Sequence, residues 1–148
     1  MSKHGRIFSI SPFTKEDYAE VYALWQKCEG VGLSSADSQT SIAAYLVRNP
    51  GMSFIARRDA VVVGAILGGH DGRRGYIHHL AVHENHRRQG IGRSLVEQCL
   101  NRLQEEGIKK CHLLIFHENL PGISFWRRIG WTLRQDIRIM STHINQEK

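Results

Sequence analysis

The spacing of apolar residues changes repeatedly along this chain, and each change predicts an element. Residues 6–11 alternate, with Ile7 and Ser9 on one face and Phe8 and Ile10 on the other, which predicts a first strand ended by Pro12. Thr14, with Asp17 three residues on, can cap a helix in which Tyr18, Val21, Tyr22 and Trp25 recur at helical spacing as far as about Lys27. Residues 29–38 are rich in Gly, Ser and Asp and predict a loop. A second helix then runs through Ile42, Tyr45 and Leu46 and ends ahead of Pro50 and Gly51.

The period then shortens. Residues 53–57, 61–69 and 76–82 are apolar runs rich in Val, Ile and Phe, separated by Asp59-Ala60 and Asp71-Gly72, and they predict an antiparallel meander. From Ile91 onwards, Leu95, Val96, Cys99, Leu100 and Leu103 share one helical face, with Glu97, Gln98, Asn101, Arg102 and Glu105 facing away and Gly107 as the cap. The apolar run 113–116 predicts a buried strand. Asn119 with Pro121 opens a further helix ending at Gly130, and residues 131–133 and 137–140 predict a closing hairpin. The strand–helix–strand unit over 76–116 should run its two strands parallel through a right-handed crossover. The expectation is one domain over residues 1–148, with a mixed α/β sheet flanked by helices.

Composition narrows this picture. A chain of 148 residues with 41% hydrophobic content can bury the core of one domain. Its formal charge of +6 favours an anionic partner. Cys28, Cys99 and Cys111 are odd in number and lack CxxC spacing, so neither a disulfide framework nor a zinc site is expected, and a reducing cytoplasm fits. No apolar run has the length of a signal-peptide core or a membrane span, so a soluble protein without a membrane partner is expected.

Residues 79–100, HLAVHENHRRQGIGRSLVEQCL, carry the chemistry. A strand runs through a basic, glycine-punctuated turn into the long helix, and the first turn of a helix presents N–H groups that have no carbonyl partner. Those donors and the helix dipole attract an anion. Gly90 and Gly92 allow main chain to curl around a phosphate, and Arg87, Arg88 and Arg93 bring positive charge, which outlines a pyrophosphate cradle. The Gly-Lys-Ser/Thr of a P-loop is absent. So are the third glycine and following acid of a Rossmann fingerprint, since position 95 is Leu.

Arg87-Arg88-Gln89-Gly90-Ile91-Gly92 resembles the Arg/Gln-x-x-Gly-x-Gly/Ala signature of the GNAT superfamily of N-acetyltransferases, and Leu80-Ala81-Val82 resembles the strand that precedes it. Asn119, followed by Phe125-Trp126-Arg127-Arg128-Ile129-Gly130-Trp131, is similar to the family's second block, an Asn and later Phe-Tyr-x-x-x-Gly-Phe. The resemblance implies an α/β (α+β) fold. Its largely antiparallel sheet would have about seven strands, with about four helices and a splayed parallel strand pair that binds acetyl-coenzyme A. It places the cofactor on Leu80, Ala81, Val82, Arg87, Arg88, Gln89, Gly90, Ile91, Gly92, Arg93, Ser94, Asn119 and Trp126.

The same resemblance implies direct attack by an amine acceptor on the thioester. The acceptor is a small molecule, a protein N-terminus or a lysine, and loop 29–38 helps to build its pocket. A backbone N–H near Val82 is the candidate for polarising the carbonyl. Where the family often has an acidic Tyr, this chain has Trp126, whose indole N–H donates a hydrogen bond but does not give up its proton. For a base, His117 ranks first and Glu84 next among the groups near the two cofactor strands, where His78, His79 and His83 also lie. Strand alternation puts His78 and His79 on opposite faces. No His, Cys or Asp spacing indicates a metal.

Nucleic acid is disfavoured, because the basic pairs sit beside the expected cofactor phosphates and Glu97, Glu105 and Glu106 make the long helix acidic. The other alternative is a coenzyme A-binding sensor or scaffold with little catalysis. Dimers are frequent in the family, so a homodimer is an assembly the resemblance allows.

Overall fold

A computed structural model describes residues 7–145 of the chain. Its elements follow the apolar pattern closely: β1 (Ser9–Pro12), α1 (Tyr18–Lys27), α2 (Gln39–Arg48), β2 (Phe54–Arg58), β3 (Val61–His70), β4 (Gly75–Val82), α3 (Ile91–Glu105), β5 (Cys111–Leu113) and α4 (Leu120–Arg128). Arg6, placed in the first strand by its sequence pattern, lies outside the described residues. The chain divides into two compact units, Met1–Phe116 and His117–Lys148.

Local chemistry starts and stops the helices. The Asp17 carboxylate accepts from Thr14 N at 2.9 Å and from its hydroxyl at 3.0 Å, across a short 3₁₀ turn that leads into α1. Arg57 of β2 donates to the same carboxylate at 2.8 Å, which ties the helix start to the sheet. Ser38 Oγ caps α2 by accepting from Ser41 N at 3.1 Å. Gly107, at φ +82°, ends α3 and donates to Gln104 O at 3.0 Å.

The strands order as β1-β2-β3-β4-β5, antiparallel except for the β4–β5 pair. That last pair is parallel and joined through α3, as the crossover argument requires. Both faces of β3 are covered, which is why Val62 to Gly69 form an unbroken apolar and glycine run. On one face Ala65 and Leu67, with Ala81 of β4, join Val21, Leu24, Trp25 and Ile42 in the core. On the other face glycines bring α3 close. A Cβ on Gly64 would lie 2.9 Å from Ile91, and one on Gly68 would overlap the Met52 carbonyl oxygen and approach the Cys99 sulfur to 3.0 Å.

Among the described residues the sheet has five strands rather than about seven, and two segments differ from the sequence pattern. The apolar run 113–116 is not a buried strand. Pairing uses residues 111–113, anchored by Gly75 N donating to Lys110 O at 2.9 Å, and Leu114 and Phe116 are 65% and 55% exposed. The closing hairpin is also absent among the described residues. Arg134 clasps Asp136 through two 2.9 Å bonds, and Ile137, Ile139 and Met140 remain exposed. Unit His117–Lys148 holds no other described strand, and an isolated two-stranded ribbon is marginal in water.

Gly68→Ala should destabilise the protein by about 1–3 kcal/mol, because the atom it meets is backbone and cannot rotate away. Urea unfolding should show a lower midpoint at unchanged slope; an unchanged midpoint would contradict this packing.

Candidate functional site

In unit Met1–Phe116, a strand edge with no strand neighbour among the described residues meets a helix start that no described side chain caps. β4 pairs with β5 only through Gly75, Tyr76 and Ile77. Beyond Ile77 the parallel pair separates, and residues 78–82 keep β3 as their only strand neighbour among the described residues. That side of β4 therefore offers backbone hydrogen-bonding groups to an extended partner.

The turn after β4 is shaped by two positive dihedrals, φ +65° at Arg88 and +84° at Gly90. Gly90 is the N-cap of α3 and brings no side chain, and the first helical bond is Ser94 N to Gly90 O at 3.0 Å. The N–H groups of Ile91, Gly92 and Arg93 thus have no helical acceptor. A Cβ built on Gly90 meets nothing within 4 Å, so the space above the turn is open. Beside it lies a depression of about 440 Å³ lined by Phe8, Gln89, Gly90, Arg93, Ser94 and Glu97, among others. These features fit a pyrophosphate: converging donors, a dipole and room for the anion.

The arginines divide the work. Arg87 Nε donates to Val82 O at 2.9 Å and so ties the turn back to β4. Arg88 and Arg93 are exposed at the turn, with Arg93 also 3.4 Å from Glu97. Gln89 is held by Arg58 Nη1 at 3.2 Å.

A β-bulge changes the face of one histidine. Ala81 pairs with Ala65 but His78 pairs with Leu67, so His79 and Leu80 together oppose Ile66, and His79 takes φ +52°. Strand alternation, which put the two histidines on opposite faces, is broken there. His78 packs edge-on to Tyr45 of α2 at 6.1 Å, while His79 meets Trp25 of α1 at 5.0 Å and Asp37 at 2.8 Å, so both lie on the face covered by α1 and α2. Burial, aided by its neighbour His79, pushes the His78 pKa down, so that ring is held neutral.

Asp37 was not among the sequence candidates. It is 6% exposed, its Oδ2 accepts from Ser34 N at 3.0 Å, and its carbonyl accepts from the Tyr18 hydroxyl at 2.7 Å. The capping spacing Ser34-x-x-Asp37 was the available signal, and it marks a turn without telling which strand that turn faces.

Glu84 is exposed on the short turn after β4, and His83 commits Nδ1 to the Asn85 N–H at 3.1 Å. In unit His117–Lys148, His117 is exposed and Asn119 caps α4 by accepting from Gly122 N at 3.0 Å. Trp126 is half-buried, edge-on to Phe125 at 5.3 Å and to Trp131 at 4.8 Å, which is a packing role. Burial pushes up the thiols of Cys28, Cys99 and Cys111, the last to about 11, so none supplies a thiolate at neutral pH. Among the described residues, no group of three or more His, Cys, Asp and Glu side chains could hold a metal, and no helix is long and apolar enough to cross a membrane.

Known proteins resemble this chain in sequence and in fold. The sequence model of the Acetyltransferase (GNAT) family matches residues 18–131. An acetyltransferase of Sodalis glossinidius is 27% identical over 139 residues, covering 94% of this chain and 97% of the relative. Among solved structures, Ard1 from Thermoplasma volcanium superposes with a TM-score of 0.76 at 24% identity, over 87% of this chain and 85% of that one. The PaiA N-acetyltransferase of Thermoplasma acidophilum, solved in complex with coenzyme A, gives 0.75 at 16% identity, over 86% and 91%.

Gly90→Asn should keep the fold, since Asn tolerates positive φ, yet fill the space above the turn. Coenzyme A should then raise the melting temperature far less than in the wild type, with affinity at least tenfold weaker by calorimetry. Wild-type affinity would contradict the cradle.

Proposed function

We infer the function from one premise: the chain belongs to the acetyltransferase (GNAT) family and is an acyltransferase that uses acetyl-coenzyme A. The acetyl group passes directly to a primary amine of a small-molecule or protein acceptor. The observation that carries this reading is the early end of β4–β5 pairing beside the uncapped start of α3.

In this reading the amide-bearing pantetheine arm pairs with the open edge at Leu80, Ala81 and Val82, where no described strand competes for the backbone groups. The pyrophosphate sits on the N–H groups of Ile91, Gly92 and Arg93, with Arg88 and Arg93 adding charge. Arg87 keeps the turn against β4, so strand and helix start hold their spacing when the ligand arrives. A backbone N–H near Val82 polarises the thioester carbonyl. Raised cysteine pKa values leave the chain without an acyl-accepting thiolate, which favours attack by the amine itself.

The acceptor must lose its ammonium proton before attack, and the leaving thiolate must gain one. Trp126 is no proton source, because an indole N–H does not give up its proton at neutral pH. Loop residues 29–38 border the acceptor side, through Asp37, on the face of β4 covered by α1 and α2. Three free cysteines suit a reducing cytoplasm as the place of action.

The test follows free thiol released from acetyl-coenzyme A in the presence of spermidine, an aminoglycoside, free amino acids, a lysine peptide and a peptide with a free N-terminus. At least one class should release thiol well above hydrolysis. If coenzyme A raises the melting temperature but no amine releases thiol, the protein is a coenzyme A-binding module and the transferase reading fails.

A further inference from the structure

We propose that His79 is the proton acceptor for the incoming amine and that Asp37 sets its tautomer; this rests on the acetyltransferase reading above. His79 lies in the β4 bulge with φ +52°, a backbone conformation that side-chain-bearing residues rarely adopt. Such strain persists where the surroundings over-determine it, and here two neighbours do. Trp25, fully buried, walls one side of the ring at 5.0 Å, and Asp37 Oδ1 lies 2.8 Å from Nε2.

The chemistry follows from which nitrogen is occupied. An ionised carboxylate only accepts, so Nε2 carries the hydrogen that bridges to Asp37 and Nδ1 keeps its lone pair. Asp37 is itself fixed, since Oδ2 takes the Ser34 N–H and the Tyr18 hydroxyl holds its carbonyl. Nδ1 has no hydrogen-bond partner among the described residues, and 19% of the His79 side-chain surface remains exposed. The ring immediately precedes Leu80, where the open edge of β4 carries the thioester arm in the proposed complex.

The rival groups are placed less well. His83 spends Nδ1 on the Asn85 N–H, His78 is enclosed by Tyr45 and Tyr76, and Glu84 and His117 are exposed with no described carboxylate or histidine bonded to them. Titratable groups around His79 are Asp37 from the loop, His78 from β4 and, behind Asp37, Tyr18 at the start of α1.

The ammonium gives one proton to Nδ1, and the imidazolium that forms is stabilised by the Asp37 carboxylate. The freed lone pair attacks the acetyl carbonyl; the C–N bond forms and the C–S bond breaks. The second proton on nitrogen ends on the coenzyme A thiolate, and His79 returns its proton to water.

Two measurements test this on the full chain. In two-bond ¹H–¹⁵N spectra of the histidine-labelled protein saturated with coenzyme A, His79 should be the neutral Nε2–H tautomer at pH 7.5. An Nδ1–H tautomer, or a ring doubly protonated at pH 8, overturns the proposal. With the fastest amine from the acceptor panel, His79→Asn, chosen because Asn tolerates positive φ, should lower kcat by roughly 10²–10⁴-fold and remove the acidic limb of the pH–rate profile. Its stabilisation by coenzyme A should match the wild type, showing a folded cofactor site. Asp37→Asn should lower kcat at least tenfold and reduce the Nε2–H population. Wild-type kcat with an intact acidic limb in His79→Asn overturns this proposal alone, whereas a wild type that acetylates no amine overturns the transferase reading and this proposal with it.

Discussion

Backbone pairing between β4 and β5 stops after Ile77, and the peptide groups of residues 78–82 must find hydrogen bonds elsewhere on that side. Polar groups at a half-buried strand edge are costly to leave unpaired, so water or an extended ligand has to complete the sheet. The other features of the site are arranged around this gap. The bulge at His79 lies at its start, the Arg87–Val82 bond closes its far end, and the helix start at Gly90 follows directly. A ligand with an amide-bearing arm and a pyrophosphate head matches that sequence of backbone edge and anion cradle.

The face covered by α1 and α2 is held to the sheet by polar ties that differ in weight. The exposed Arg57–Glu20 pair, between β2 and α1, contributes little, because water screens it and the side chains lose freedom when fixed. The Asp37–His79 contact is nearly enclosed, with Trp25 packed beside it, and losing either partner would leave a buried polar group unsatisfied. Loop 29–38 is therefore fastened to β4 at one well-defined point. An acceptor pocket bordered by that loop gains a fixed wall from it.

Much of this was legible in the sequence because the relevant signals are local. Gly90 and Gly92 at the junction of a strand and an amphipathic helix mark an anion turn, and Asn119 and Gly107 mark helix ends; each is decided within a few residues. What could not be read depends on pairing between distant segments. Hydropathy places the strand after the crossover at 113–116, but the register is set by Lys110 meeting Gly75, so pairing begins and ends earlier. The bulge at His79 leaves no hydropathic trace, since histidine suits either face, and Asp37 looked like one polar loop residue among several until β4 was set against it. The expected hairpin over 131–133 and 137–140 finds no described strand in its own unit to join.

Amide hydrogen exchange with and without coenzyme A tests the central claim most directly, because it reads the backbone groups themselves. Coenzyme A should slow exchange at the open edge over residues 78–82 and at the N–H groups of Ile91, Gly92 and Arg93, while β2 and the body of α3 change little. Binding that leaves both of these segments exchanging at their unliganded rates would show that the ligand sits elsewhere, and the account built on the β4 edge would be wrong.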